Sequence, residues 1–490
     1  MQRSKDEMEQ DERALGHGGT INADICIIGG GSGGLSMAAA AVQLGQHVVL
    51  IEKHKMGGDC LNTGCVPSKA LIAAARRAHE MRTAGQFGIT PVSPQIDPAA
   101  INAHVKSVIA SIAPNDSVER FTGMGVQVIQ AHGRFRDKTT VEAGDTLVKA
   151  HRFVIATGSS PAVPAISGLE KVPFFTNETL FDNRQPIGHL IVIGGGPVGM
   201  ELAQAYLRLG STVTVVEEHK ALSKDDPELS GVVLKYVRAE GLAVREGAKV
   251  TSVSGWPGSI RVSVTTAEGS ETIDGTHLLI ATGRTPNVED LNLEAAGIKY
   301  DNRGIAVSAG LVTSNRRVFA IGDVTGGPQF THAANYHAGI VFRRALFRLP
   351  AKVRDDLIPW VTYTDPELAQ IGLTEEDARK KHGAINVFRW PYHENDRAHT
   401  ERATEGFVKV VTTKRGQILG AGIVGKNAGE LIQVWSLAIS QGLRITAMTQ
   451  WVAPYPTLGE INKRAAMGTY ALTAGNPLVR KVVTLLRKLG

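Results

Sequence analysis

The chain is predicted to be an α/β protein in which two Rossmann-like dinucleotide-binding domains are followed by a smaller α+β domain. Three observations predict this. A strand, G-x-G-x-x-G, helix, strand, acid pattern stands near the start, and the same pattern returns downstream. From about Pro359 the texture changes to strand-like stretches and one helical stretch.

Asp24 to Ile28 is a short, largely apolar run that reads as a buried parallel strand. The glycines Gly29, Gly31 and Gly34 follow, then a helical stretch from Leu35 to Leu44 and a second strand from Val48 to Ile51 ending at Glu52 and Lys53. Glycines there let the backbone approach a pyrophosphate at a helix N-terminus, and the acid takes a ribose hydroxyl. Downstream, Leu190 to Ile193 is the strand and Gly194, Gly196 and Gly199 the fingerprint. A helix from Met200 to Leu209 leads to Thr212 to Val216, closed by Glu217. The repeat implies two dinucleotide sites; two fingerprints could in principle bind one cofactor type twice, but a two-step electron relay is the more economical reading.

Two further segments resemble one another, Ile155-Ala156-Thr157-Gly158 and Ile280-Ala281-Thr282-Gly283-Arg284, and read as crossovers between the two nucleotide domains. Gly322-Asp323 closes a buried strand with a carboxylate suited to a ribityl or ribose hydroxyl. Gly406 to Thr412, Gln417 to Val424 and the helical Ala428 to Gln441 form the separate α+β domain.

Between the first fingerprint and the rest lies Gly57-Gly58-Asp59-Cys60-Leu61-Asn62-Thr63-Gly64-Cys65-Val66-Pro67-Ser68-Lys69. A thiol pair at this spacing can close into a small disulfide and reopen with little backbone movement. Beside a nucleotide site it reads as a store for two electrons. Cys26, inside the first strand, reads as a small core residue.

Composition bounds these readings. The length of 490 residues exceeds one core and suggests about three domains. Three cysteines argue against a secreted disulfide framework and for a reducing, cytoplasmic setting. The formal charge of +6 is small and scattered, which excludes a nucleic-acid-binding face. Met1 to Asn22 carries both signs of charge without an apolar core and reads as a disordered tail. No apolar run reaches the roughly 18 residues needed to span a bilayer, and no set of metal ligands is read.

Jointly, in order, and over residues 24–470, these motifs resemble the class I pyridine nucleotide-disulfide oxidoreductases, the group of dihydrolipoamide dehydrogenase, glutathione reductase and mercuric reductase. Tyr363-Thr364-Asp365-Pro366-Glu367 to Gly372-Leu373-Thr374 adds to the match. The resemblance implies FAD in a discontinuous domain (residues 23–165 and 288–350) and a nicotinamide nucleotide in residues 166–287. It also implies a homodimer through an interface domain at residues 355–475. By position, Cys65 is the sulfur beside the flavin, Cys60 the interchange thiol, Lys69 the lysine near flavin N5, and Glu201 its ion-pair partner. Glu217 hydrogen-bonds the 2′-hydroxyl of NAD and repels a 2′-phosphate, so NADH is preferred to NADPH.

The match breaks at two places. The family's disulfide reductases supply a base from a His-Pro-Thr-x-x-Glu segment of the partner subunit, which here reads Tyr455-Pro456-Thr457-Leu458-Gly459-Glu460. Tyrosine titrates near 10 against about 6.5 for histidine, a poor proton shuttle at neutral pH. Tyr455 and Glu460 are kept as candidate site residues, for ligand steering or hydrogen bonding. Mercuric reductases carry tyrosine there, yet they hold Hg(II) with a C-terminal cysteine pair that residues 476–490 lack. His332 and His337 read as structural.

The leading expectation is an FAD-dependent NADH oxidoreductase passing electrons through Cys60–Cys65 to a disulfide, thiol-reactive or metal-ion acceptor. Direct flavin reduction of quinones or oxygen, and a redox-sensing or scaffold flavoprotein, are the alternatives. Residues 476–490 form a basic amphipathic helix, read as packing on the dimer in preference to lying on a membrane surface.

Overall fold

The computed structural model describes residues 19–474 and 476–488. Its first sheet places Val48–Glu52 (β2) and Thr146–Ile155 on either side of Thr20–Ile28 (β1), both parallel to it. Gln127–Gln130 extends one edge in parallel, Thr140–Ala143 and Gly133–Asp137 the other in antiparallel, and Val318–Ala320 returns late in the chain to pair with Thr146–Ile155. Helix Ser32–Gln43 (α1) joins β1 to β2, and Cys65–Thr83 (α2) follows a short helix at Gly58–Asn62.

The expected tail needs correcting. Residues 1–18 lie outside the described residues, and Thr20, Ile21 and Asn22 are already strand, paired with Leu147, Val148 and Lys149. The start was concealed because Thr20 and Asn22 are exposed while Ala23 is buried: this half of β1 alternates instead of running apolar.

The repeat is reproduced strand for strand. His189–Ile193 (β3), Thr212–Val216 (β4), Ala243–Arg245 and His277–Ile280 form an all-parallel sheet, with Pro197–Arg208 (α3) between β3 and β4. Both fingerprint helices begin three residues before the expected positions, at Ser32 and Pro197. The reason is close packing: a Cβ on Gly34 would lie 1.9 Å from the Gly29 oxygen, and one on Gly199 would lie 2.0 Å from the Gly194 oxygen. Glycine alone lets the first helical turn pack onto the strand end.

The chain leaving the two crossover segments pairs as a two-stranded ribbon, Ser159–Pro161 against Arg284–Pro286. The C-terminal unit is a five-stranded antiparallel sheet of Trp360–Thr362, Glu367–Gly372, Ile418–Gly425, Phe407–Thr413 and Ile385–Pro391. Helices cover it, and the expected helix at residues 428–441 is two, Ala428–Leu431 and Gln433–Ser440. Lys409, its side chain 4% exposed, joins this sheet to the second nucleotide-binding unit through Asp226, Glu228 and Glu375. Thr331–Phe347 (α4) packs on α1, and Glu460–Ala474 (α5) leads to Pro477–Leu486 (α6).

Candidate active site

Cys60 lies on the short helix Gly58–Asn62 and Cys65 opens α2; both are free in this structure, Cys60 half-buried and Cys65 exposed. They are not equivalent. The hydrogen bond from Cys60, set against burial, lowers the Cys65 thiol to about 6, helped by Thr331 and the Lys69 charge. The Thr331 hydroxyl lies 3.4 Å from the Cys65 sulfur. The same hydrogen bond, together with burial, pushes the Cys60 thiol far up. The two shifts run in opposite directions, favouring the charge on Cys65 and the proton on Cys60.

Lys69, one turn beyond Cys65, donates to Glu201 Oε2 at 2.8 Å. Glu201 projects from α3, is 5% exposed, and also accepts from the Tyr363 amide at 2.9 Å. The Lys69 ammonium sits 4.4 Å from the centre of the Tyr363 ring. Burial opposes its charge, but the Glu201 carboxylate outweighs burial and raises its pKa. Three parts of the chain thus meet beside the thiols: α2, α3 and the entrance to the C-terminal sheet.

Asp59 precedes Cys60 and is the anchor of the loop. Its carbonyl accepts from the Thr63 and Gly64 amides, and its carboxylate accepts from the Thr63 hydroxyl at 2.7 Å and from Asn177 at 3.1 Å. Arg284 reaches the other carboxylate oxygen at 3.2 Å. That guanidinium also donates to the Ser159 hydroxyl and carbonyl, and lies 3.8 Å from Asp323. Asp59, Asn177, Arg284, Thr331 and Tyr363 were given no role in the sequence. Asp59 and Tyr363 lie inside recognised segments, whereas Asn177 reaches Asp59 across 118 positions and left no local signal.

The Asp59 charge raises both thiols. Asp59→Asn, which keeps the size and the acceptor oxygen, is therefore expected to lower the Cys65 pKa. Arg284→Gln, which leaves that charge unbalanced, is expected to raise it. The pH dependence of iodoacetamide alkylation of Cys65 measures both; shifts in the same direction would refute the pairing.

The glycine sites have the shape of dinucleotide cradles. Gly31 and Gly196 cap α1 and α3 without a side-chain cap, leaving first-turn amides free of side-chain partners. A Cβ on Gly31 would meet only Gly58 Cα, at 3.9 Å, and Gly196, Gly158 and Gly283 open onto space with nothing within 4 Å. Gly29 and Gly194 hold the matching φ values +112° and +113°. Glu52 accepts from the Gly30 amide at 2.6 Å and the His54 amide at 2.7 Å. Glu217 repeats this with Gly195 at 2.8 Å and His219 at 2.9 Å. Lys53 is exposed beside the first acid. Thr157 donates to the Asn287 carbonyl, tying the two crossovers together. Asp323, raised by burial, accepts from Ser159 at 2.6 Å, and the Gly322 amide donates to His337 Nδ1 at 3.1 Å. These residues fit FAD at the first cradle and a nicotinamide nucleotide at the second.

Tyr455 and Glu460 stand apart from this cluster in the single chain. Tyr455 is 70% exposed and donates to Asp396 Oδ2 at 2.7 Å. Glu460 opens α5 and holds Arg464.

The sequence profile of the Pyridine nucleotide-disulphide oxidoreductase family matches residues 23–338, and that of its dimerisation domain residues 358–466. The chain is 36% identical over 449 residues to a mercuric reductase of Lysinibacillus sphaericus, covering 91% of this chain and 82% of the relative. It is 36% identical over 449 residues to a dihydrolipoyl dehydrogenase of Thermus scotoductus, covering 89% and 95%. The Cu(II) complex of the HOCl-induced flavoprotein disulfide reductase RclA from Escherichia coli superposes with a TM-score of 0.81 at 25% identity, covering 90% of this chain and 99% of that one. Members use FAD with NAD(P)H and form homodimers. Among the described residues no helix is long and apolar enough to cross a membrane. With a profile spanning both cradles and the thiol pair between them, the chain belongs to the pyridine nucleotide-disulphide oxidoreductase family of flavoenzymes.

Proposed function

We propose that the protein is a homodimeric, cytoplasmic, FAD-dependent NADH oxidoreductase that delivers electrons through Cys60–Cys65 to a thiol-reactive or metal-ion acceptor. The observation that carries this reading is the asymmetry of the thiols. Opening a Cys60–Cys65 disulfide with one hydride equivalent breaks the S–S bond and yields one thiol and one thiolate, with NADH leaving as NAD+. The opposite shifts of the two thiols support that product, with the proton on Cys60 and the charge on Cys65, one helical turn from Lys69. Bound FAD would carry the two electrons between nicotinamide and sulfur.

FAD would be held by Gly29, Gly31, Gly34, Glu52, Gly58, Thr157, Gly158, Gly322 and Asp323. The nicotinamide nucleotide would be held by Gly194, Gly196, Gly199, Glu217 and Gly283. NADH is favoured because Glu217 closes β4 with an acid, which suits a ribose 2′-hydroxyl and repels a 2′-phosphate, and Glu218 adds a second carboxylate beside it. Glu218 also pairs with the basic Lys249 at 3.2 Å.

The acceptor class follows from Tyr455. Its phenol, ordinarily near 10, keeps its proton at neutral pH, and its bond to Asp396 pushes it further up. A disulfide acceptor needs a base to free the Cys60 thiol and an acid for the departing sulfur. A soft metal ion needs neither, because binding to sulfur itself displaces the proton. The RclA structure, which contains Cu(II), supports the same direction.

An anaerobic NADH titration followed by an acceptor panel tests the reading. One equivalent of NADH should bring up a long-wavelength thiolate-to-flavin charge-transfer band. Cu(II) or a soft ion such as Hg(II) should then turn over at least about 10²-fold faster than lipoamide or glutathione disulfide, the low end of a general acid–base contribution. Absence of the band removes the relay; equal rates with lipoamide remove the metal-ion preference.

A further inference from the structure

We infer that α6 is a docking element for an anionic lipid surface. The helix begins beyond the dimerisation profile, which ends at residue 466. Asn476 caps it through the Leu478 amide, and Pro477 occupies its first turn, so its start is defined by local chemistry. Over its length, about 15 Å, the sequence divides into two faces. At 100° per residue, Leu478, Val479, Val482, Val483, Leu485 and Leu486 occupy one continuous arc. Arg480, Lys481, Thr484, Arg487 and Lys488 occupy the rest.

The apolar arc does not fold back onto its own chain. Leu478, Val482, Val483, Leu485 and Leu486 are each between 54% and 70% exposed. Five such side chains on one short helix require a cover, and the polar face indicates which one. Other exposed helices of this chain pair cations within the helix: Glu375–His382 pairs Arg379 with Glu375 and Lys380 with Glu376, and α5 pairs Arg464 with Glu460. From residue 476 to 488 there are four cations and no carboxylate. Among the described residues none of the four forms an ion pair, and Arg480 spends one donor on the Ala474 carbonyl.

A helix covered by a second copy has no need of an unopposed cationic face. A helix lying at an anionic bilayer needs one, with the apolar arc in the acyl boundary and the cations among the headgroups. A single helix this short binds weakly and reversibly, but a homodimer carries two, so attachment by one raises the effective concentration of the other. The lipid surface is therefore the occupant favoured over the second copy that the sequence alone suggested.

The test uses FAD-loaded full-length protein, a chain ending at Ala474, and the variant Arg480→Glu/Lys481→Glu. Each is sedimented with vesicles of phosphatidylcholine alone or with one quarter phosphatidylglycerol, and its mass is read by light scattering. Full-length protein should sediment with the anionic vesicles only, and release as salt rises. The shortened chain should stay in the supernatant, and the charge-reversed variant should partition at least roughly 25-fold more weakly, two lost cations at about fivefold each. All three should remain dimers of equal NADH-oxidising activity. Binding by the shortened chain, equal binding to both vesicle types, or no binding at all overturns the inference. Loss of the dimer on shortening would assign the helix to the second copy instead.

Discussion

Cys60→Ser should lower turnover with a sulfur-dependent acceptor by on the order of 10³-fold or more, as expected when the attacking atom of a cooperating pair is removed. It should leave cofactor content and fold unchanged. The serine hydroxyl is similar in size and can still donate a hydrogen bond to Cys65, so the Cys65 thiolate survives; the nucleophile does not. Cys60→Ala separates the two roles. It removes the donor that contributes most to lowering Cys65, so the Cys65 pKa should rise from about 6. The sign then fixes the pH behaviour. A thiol whose pKa is depressed on folding gives its full stabilisation above the ordinary value of 9.0 and loses it as pH falls through about 6. The acid limb of Cys65 alkylation by iodoacetamide should therefore lie near pH 6 in the wild type and in Cys60→Ser, and at higher pH in Cys60→Ala. Unchanged multiple turnover in Cys60→Ser would mean that the acceptor draws electrons from the flavin, and the thiols would then be spectators.

Much of this site was legible in the sequence because its chemistry is local. The fingerprint glycines, Glu52, Glu217 and the cysteine segment act through neighbours at short spacing, and a strand–turn–helix–strand pattern fixes where they point. Lys69 and Glu201 were paired only through the family resemblance, being 132 positions apart. What remained hidden depends on long-range closure. Asn177 and Arg284 flank the second nucleotide-binding unit, and both converge on Asp59, so the redox loop is held by both connections to that unit. No periodicity encodes such a convergence, since each residue follows an ordinary local pattern and only the sheet topology brings them together. The first residues of β1 were missed for the opposite reason. Their hydrogen bonds are regular, but alternate polar side chains face solvent and conceal the strand. At Tyr455 the letter alone indicated lost proton shuttling, and the bond to Asp396 pushes the phenol further from neutral-pH proton transfer.

Lys69→Met should cost about 2–4 kcal/mol of stability and slow reduction by NADH by roughly 10²-fold. The two effects have different origins. The stability cost arises at Glu201, which keeps its buried position but loses its cation and retains one donor, the Tyr363 amide. A carboxylate so placed is expensive unless paired. The chemical cost arises at the thiols and the adjoining cofactor cradle: the Lys69 charge helps to hold Cys65 as thiolate, so its loss should raise the Cys65 pKa. Because the Lys69 pKa is itself raised, the ion pair is intact throughout the neutral range and is lost only as pH rises past the ordinary lysine value of 10.5 and through the folded one. Rate differences between pH 6 and 8 therefore report the thiols. Glu201→Leu combined with Lys69→Met separates stability from chemistry. The apolar pair should recover much of the thermal stability, since it removes the buried Glu201 charge together with its half-exposed partner, while the slow reduction by NADH persists. Differential scanning fluorimetry and stopped-flow absorbance read the two quantities independently. Recovery of both in the double variant would show that Lys69 acts only by stabilising the fold. Recovery of stability alone places its cation in the electron transfer.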